Sequence, residues 1–115
     1  MDKPIPPADP RCHLVITTLP DREAAQAIAR TLVEERLAAC VQLVEGLLSI
    51  YRWEGRIDET VECQLVAKTT PAAAAALVER LRTLHPYEVP EILTLDAAAS
   101  AAYGAWVRAE TGGSR

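Results

Sequence analysis

The side chains able to do chemistry gather in two short runs, Tyr51-Arg52-Trp53-Glu54-Gly55 and His85-Pro86-Tyr87-Glu88-Val89-Pro90-Glu91. An imidazole with the carboxylates of Glu88 or Glu91 in the same segment would suit a divalent transition ion, and the general affinity order puts Cu(II) first. His85 and Glu91 are therefore candidate metal ligands. The alternative for His85 is a charge-assisted role at a helix C-terminus, where the dipole favours an imidazolium. His13 is the only other histidine and reads as a structural residue near a strand start, so a protein-built tetrahedral zinc site would have to recruit cysteines or carboxylates from distant segments. Tyr51 and Trp53 share one strand face, which serves either packing or a small ligand. Lys68, in a strand heading into the core, needs a carboxylate partner such as Glu54 or Glu91, either as a structural ion pair or as part of an anion or effector pocket.

Other chemistries fit poorly. The sequence has no Gly-x-Ser-x-Gly, no phosphate-binding glycine loop and no His-Glu-x-x-His, so an enzyme is not expected. Cys12, Cys40 and Cys63 are odd in number and too far apart for a Cys-x-x-Cys motif; they read as small apolar residues kept reduced in the cytosol. Twelve Lys plus Arg against sixteen Asp plus Glu give a net charge of -4, which opposes a nucleic-acid partner bound through phosphate neutralisation. The N-terminal residues carry prolines and acids where a secretory signal needs a basic start and an apolar run, and no stretch reaches membrane-span length. A soluble, cytoplasmic location is expected, without nucleic acid or membrane.

The elements that must position these residues follow from pattern. With 115 residues, half of them hydrophobic and 24% charged, the chain has room for one globular core. Residues 1–10 are expected to be a flexible leader, 11–110 a single domain and 111–115 a flexible tail. Cys12–Thr18 is apolar on both parities and reads as a strand buried on both sides. Pro20, Asp21 and Glu23 open a helix whose apolar stripe, Ala25, Ile28, Ala29, Leu32 and Val33, runs to Leu37. From Cys40 the period becomes two: Val41 and Leu43 share one parity, Leu48 and Ile50 the other, with Glu45-Gly46 between. That switch beside a glycine predicts a bulge in one long strand, or else two short strands. A polar turn over 54–59 leads to a partner strand through Val61, Cys63, Leu65 and Ala67. Thr70-Pro71 starts a second helix, ended by His85-Pro86. A strand over 89–95, made irregular or edge-like by Pro90, and a helix over 100–110 complete the chain. The order predicts an α+β fold, a ferredoxin-like βαββαβ sandwich with an extra C-terminal helix and a long β-hairpin.

Two crossover helices cover one sheet face, yet the strands are apolar on the other as well: Leu14 and Ile16 alternate with Val15, and Tyr51 and Trp53 oppose Ile50. Large contiguous apolar patches are rare on monomers, so a closed homo-oligomer is expected, with the hairpin tip reaching a neighbour.

Leu37-Ala38-Ala39-Cys40-Val41, Tyr51-Arg52-Trp53-Glu54-Gly55, Lys68-Thr69-Thr70 and His85-Pro86-Tyr87-Glu88-Val89-Pro90-Glu91-Ile92 stand in the order and at the spacing of the CutA divalent-cation tolerance family, which the chain resembles over about residues 13–108. The resemblance implies a ferredoxin-like protomer, a homotrimer with long embracing hairpins, a cytoplasmic location and a role in tolerance of copper and other divalent ions. It implies metal ligands at His85 and Glu91. Cys40, in the Leu-Ala-Ala-Cys motif, is either a third ligand or a packed thiol. Where the family carries a cysteine at the end of the first strand this chain has Thr17, so the implied cofactor is a weakly bound Cu(II) or other divalent cation. The resemblance also implies an intersubunit pocket of Tyr51, Trp53, Glu54, Lys68, Tyr87 and Glu91. A trimer resembling the nitrogen-regulatory PII group, binding a small effector, and a ligand-free scaffold are the alternatives.

Overall fold

Alternation along the strands sets the layers. The computed structural model describes residues 11–112; the expected leader and residues 113–115 of the expected tail lie outside them. The elements are β1 (Cys12–Leu19), α1 (Arg22–Glu34), β2 (Cys40–Trp53), β3 (Arg56–Thr69), α2 (Pro71–Leu84), β4 (Leu93–Ala97) and α3 (Ala101–Glu110). The sheet order is β2-β3-β1-β4 with every neighbouring pair antiparallel, the α+β ferredoxin-like arrangement. Val15, Leu19, Leu65 and Ala67 bury one face against Ala25, Ile28 and Leu32 of α1 and Leu77 and Leu81 of α2. Fully burying an aliphatic side chain contributes about 1.5–3 kcal/mol, so this layer is the main source of stability.

Local chemistry ends each element. Asp21 lies outside α1 as its N-cap, accepting the Ala24 N–H at 2.9 Å, so the helix begins one residue later than the acidic run suggests. It also ends before Leu37: Arg36 turns to φ 61, and the N–H groups of Leu37 and Ala38 fold back onto Leu32 O at 2.9 and 3.1 Å. Thr70 caps α2 through the Ala73 N–H at 3.1 Å, with Pro71 in the first turn. The expected loose tail begins later than Thr111, whose hydroxyl donates to Val107 O at 2.9 Å in a buried position, while the Gly112 N–H donates to Arg36 O at 3.0 Å.

The hairpin is one long ribbon. Between Val44 and Leu47 the register of β2 slips by one residue, with Gly46 at φ 76, so Val41, Leu43, Leu48 and Ile50 all stay on one face, paired across the ladder with Ala67, Leu65, Val61 and Glu59. The turn is tighter than expected. Only Glu54 (φ 51) and Gly55 (φ 83) lie outside the strands, a two-residue turn with positive φ at both positions; Arg56–Glu59, polar in sequence, are already paired strand. The ribbon stretches the molecule to 65 Å and its radius of gyration to 16.3 Å, against about 13 Å for a compact domain of this length.

β4 starts at Leu93, so Pro90 is outside the strand rather than an irregularity within it. The segment before it is held by side chains instead of a ladder. On the sheet face away from α1 and α2, α3 covers one end, where Gly104 and Val107 are buried and Lys68 Nζ lies 5.9 Å from the centre of the Tyr103 ring. Val44, Leu93 and Leu95 on that face stay 46–53% exposed, and Leu48, Ile50 and Val61 further along the ribbon stay 57–63% exposed.

Candidate functional site

A crevice of about 820 Å3 opens between the hairpin and the loop that follows α2. Ser49, Tyr51, Trp53, Thr60 and Glu62, with Ile50 at the edge, form the hairpin wall, residues 86–89 and Glu91 the loop wall, and Thr18 and Pro20 the end of β1. Register explains the hairpin wall: Ser49 pairs with Thr60 and Tyr51 with Asp58, so alternate residues of both strands project to one side. Tyr51 and Thr60 join hydroxyls at 2.9 Å.

His85 fixes the loop. Its Nδ1 accepts the Tyr87 N–H at 3.2 Å, and its Nε2 contacts Thr18 O at 3.0 Å and Thr17 Oγ1 at 2.9 Å. A backbone N–H can only donate and a carbonyl can only accept, so the ring is the neutral tautomer with its proton on Nε2. At 9% exposure, burial pushes its pKa below the ordinary value, offset in part by the Thr18 carbonyl and the nearby Glu62 charge. The expected imidazolium at the helix C-terminus is therefore replaced by a neutral ring bonded at both nitrogens. Tyr87, so placed, donates its phenolic O–H to Glu62 Oε2 at 2.7 Å. Burial first, and that bond second, raise the phenol's pKa, so it remains a donor.

The residues singled out in sequence fall in four places. Tyr51, Trp53, Tyr87 and Glu91 line the crevice together, with Glu88. His85 stands behind the loop, with both nitrogens engaged. Cys40 and Lys68 are cross-strand partners beneath α3. Lys68 pairs with Leu14, while His85 meets Thr17 and Thr18, so Cys40 is displaced from His85 by about 10 Å along the strands. Glu54 belongs to the hairpin turn. The expected carboxylate partner of Lys68 is replaced by the Tyr103 ring. Among the described residues no three His, Cys, Asp or Glu side chains converge as a metal cluster. Cys12, Cys40 and Cys63 are free thiols, and burial, foremost, raises the pKa of Cys63.

Glu62 is the crevice residue that pattern reading misses. It lies between Val61 and Cys63 in the alternating run, is only 9% exposed, and carries a carboxylate into the crevice wall. Its signal was parity, since it follows the polar register of Lys68 and Gln64.

The fold and this crevice bear directly on kinship. The family model described as "CutA1 divalent ion tolerance protein" matches residues 13–110. The chain belongs to the CutA1 family. A divalent-cation tolerance protein CutA from Thermus thermophilus is 51% identical over 101 residues, covering 87% of this chain and 98% of that protein. Among solved structures, the CutA1 protein of Thermus thermophilus superimposes with a TM-score of 0.84 at 50% identity, covering 88% of this chain and 99% of that one. CutA from Xylella fastidiosa gives 0.85 at 40% identity, covering 91% and 100%. CutA1 from Oryza sativa gives 0.85 at 34%, covering 90% and 96%. No helix of the described CutA1 residues is long and apolar enough to cross a membrane.

Proposed function

We propose that this CutA1 chain is a non-enzymatic, cytoplasmic homotrimer that takes up divalent cations, Cu(II) among them, weakly through carboxylate oxygens at the crevice. The observation that carries the reading is the lining: Glu62, Glu88 and Glu91 border the crevice without converging as one cluster, and no Lys, Arg or His is among the lining residues. Oxygen donors of this kind bind hard and borderline divalent ions without the thiolate that would make copper binding tight. His85 enters a coordination sphere only by releasing the Tyr87 N–H from Nδ1, so its part is to hold the loop that presents Glu88 and Glu91. The same engagement removes it as a general base. Three free thiols suit a reducing compartment.

The trimer is supported by the apolar surface left on the rear of the sheet and along the ribbon. Light scattering at micromolar concentration is expected to give the mass of three protomers. Titration calorimetry with Cu(II) and Mn(II) is expected to show weak binding that Glu91→Gln reduces; affinity unchanged in that variant would remove the crevice carboxylates from the site.

One observation favours a second reading, an effector-binding trimer. Tyr51, Trp53 and Tyr87 line a void of about 820 Å3, within the range of about 300–1,000 Å3 of small-molecule sites. A thermal-shift screen with nucleotides tests its PII-like form, expected to be negative because three carboxylates repel phosphates.

A further inference from the structure

We propose that the crevice recognises a small organic cation, an amine or guanidinium carried on an apolar or aromatic body. The inference rests on reading the crevice as a ligand site and names what that ligand must be. Glu62 is nine-tenths buried, and among the described residues its hydrogen-bond partner is the neutral phenol of Tyr87. The nearby His85 ring is neutral too, bonded at both nitrogens. A carboxylate withdrawn from water and, within the protomer, not matched by a positive charge favours a cation beside it. Glu88 and Glu91 add the same sign at the loop wall.

Charge alone would fit a metal ion, but shape and wall chemistry go further. A water molecule occupies about 30 Å3 of liquid, so even an ion with a full first shell of waters is smaller than a crevice of about 820 Å3. Tyr51, Trp53 and Tyr87 line that volume with aromatic side chains. Aromatic faces attract ammonium and guanidinium groups and bury apolar bodies, whereas they offer no ligand atoms to a divalent ion. Carboxylates and aromatic side chains lining one crevice thus select one ligand class that satisfies both.

Benzylamine, benzyl alcohol and benzoate share one body and differ in charge, and titrating each into the native assembly at neutral pH tests the proposal. Benzylamine is expected to bind about tenfold or more tighter than benzyl alcohol, as one charge-assisted hydrogen bond implies, with benzoate weakest. Trp53→Leu is expected to weaken benzylamine more than it weakens Cu(II); Glu91→Gln is expected to weaken both. Should Trp53→Leu fail to fold, Trp106→Phe leaves Trp53 as the single indole of a chain with two, and its emission is expected to shift with benzylamine. Equal affinity for the alcohol, tighter binding of benzoate, or an unmoved Trp53 emission overturns the proposal. If Cu(II) binds through Glu91 but benzylamine does not, the organic-cation inference fails and the divalent-cation reading stands. If neither binds, the crevice itself is not the ligand site.

Discussion

Tyr87 donates its phenolic O–H to Glu62 Oε2 across 2.7 Å, joining the loop after α2 to the middle of β3, 25 residues earlier in sequence. The bond is the clasp of the crevice, because it is the described side-chain link between the two walls. Removing the hydroxyl leaves a carboxylate that is 9% exposed without its donor, and hydrogen bonds to charged groups contribute about 1.5–3 kcal/mol. Tyr87→Phe is therefore expected to lower stability by that amount in urea denaturation at fixed protomer concentration, which must be held constant for an oligomer. An unchanged midpoint would mean that water replaces the phenol at no cost.

The neighbouring His85 makes stability depend on pH. Its folded pKa lies below the ordinary value of 6.5, chiefly through burial. Below pH 6.5 the unfolded chain binds a proton that the folded ring resists, so the unfolded state gains and stability falls as pH drops from 6.5 toward the folded value. Above that window both states are neutral and the residue adds no slope. Protonating Nδ1 would also take the acceptor from the Tyr87 N–H, loosening the crevice loop in the same range. Melting curves from about pH 8 to about pH 5 are expected to show a decline that is smaller in His85→Gln. Parallel curves for the two proteins would refute the linkage.

The hairpin turn gives a prediction of opposite sign. Glu54 holds φ 51 and Gly55 φ 83, a conformation that costs an ordinary L-residue about 1–2 kcal/mol and that asparagine tolerates better. Glu54→Asn is expected to raise the melting temperature. Gly55→Ala is expected to cost about 1–2 kcal/mol from backbone strain alone, since a Cβ there meets nothing within 4 Å. If Glu54→Asn instead weakens ligand binding at unchanged stability, the residue belongs to the site as the family resemblance implied.

What was legible in the sequence depended on how local its cause was. The bulge could be read because Val41 and Leu43 exchange parity with Leu48 and Ile50 around a glycine, and the caps of α2 because Thr70-Pro71 is a self-contained signal. The sequence predicts too long a hairpin turn, because the Arg56–Glu59 segment is polar for lying on an exposed ribbon, not for being a loop. The same limit hid the chemistry of the site. His85 reads in sequence as a candidate metal ligand; its partners, Thr17 and Thr18, lie 68 and 67 residues away, and no spacing rule reports that both its nitrogens are already bonded. Glu62 escaped notice because one carboxylate in an alternating strand looks like a solvated face until the loop closes over it.

The rear of the sheet tests the assembly. Leu93 and Leu95, on the edge strand β4, are 53% and 46% exposed, and they pair with Ile16 and Leu14 on β1, continuing one apolar surface across the sheet. If copies of the chain cover this surface in the proposed trimer, a charge placed there must be buried without a partner, at a cost of several kcal/mol in the assembly and far less in a monomer, where the site is half exposed. Leu95→Lys is therefore expected to shift the light-scattering mass toward the monomer while the far-ultraviolet circular dichroism of the protomer is retained. Leu48→Lys, on the opposite face of the hairpin, separates the two apolar surfaces: a mass reduced only by Leu95→Lys puts the contact on the rear face, and one reduced only by Leu48→Lys puts it on the ribbon. A trimer that survives both substitutions would be held by neither surface.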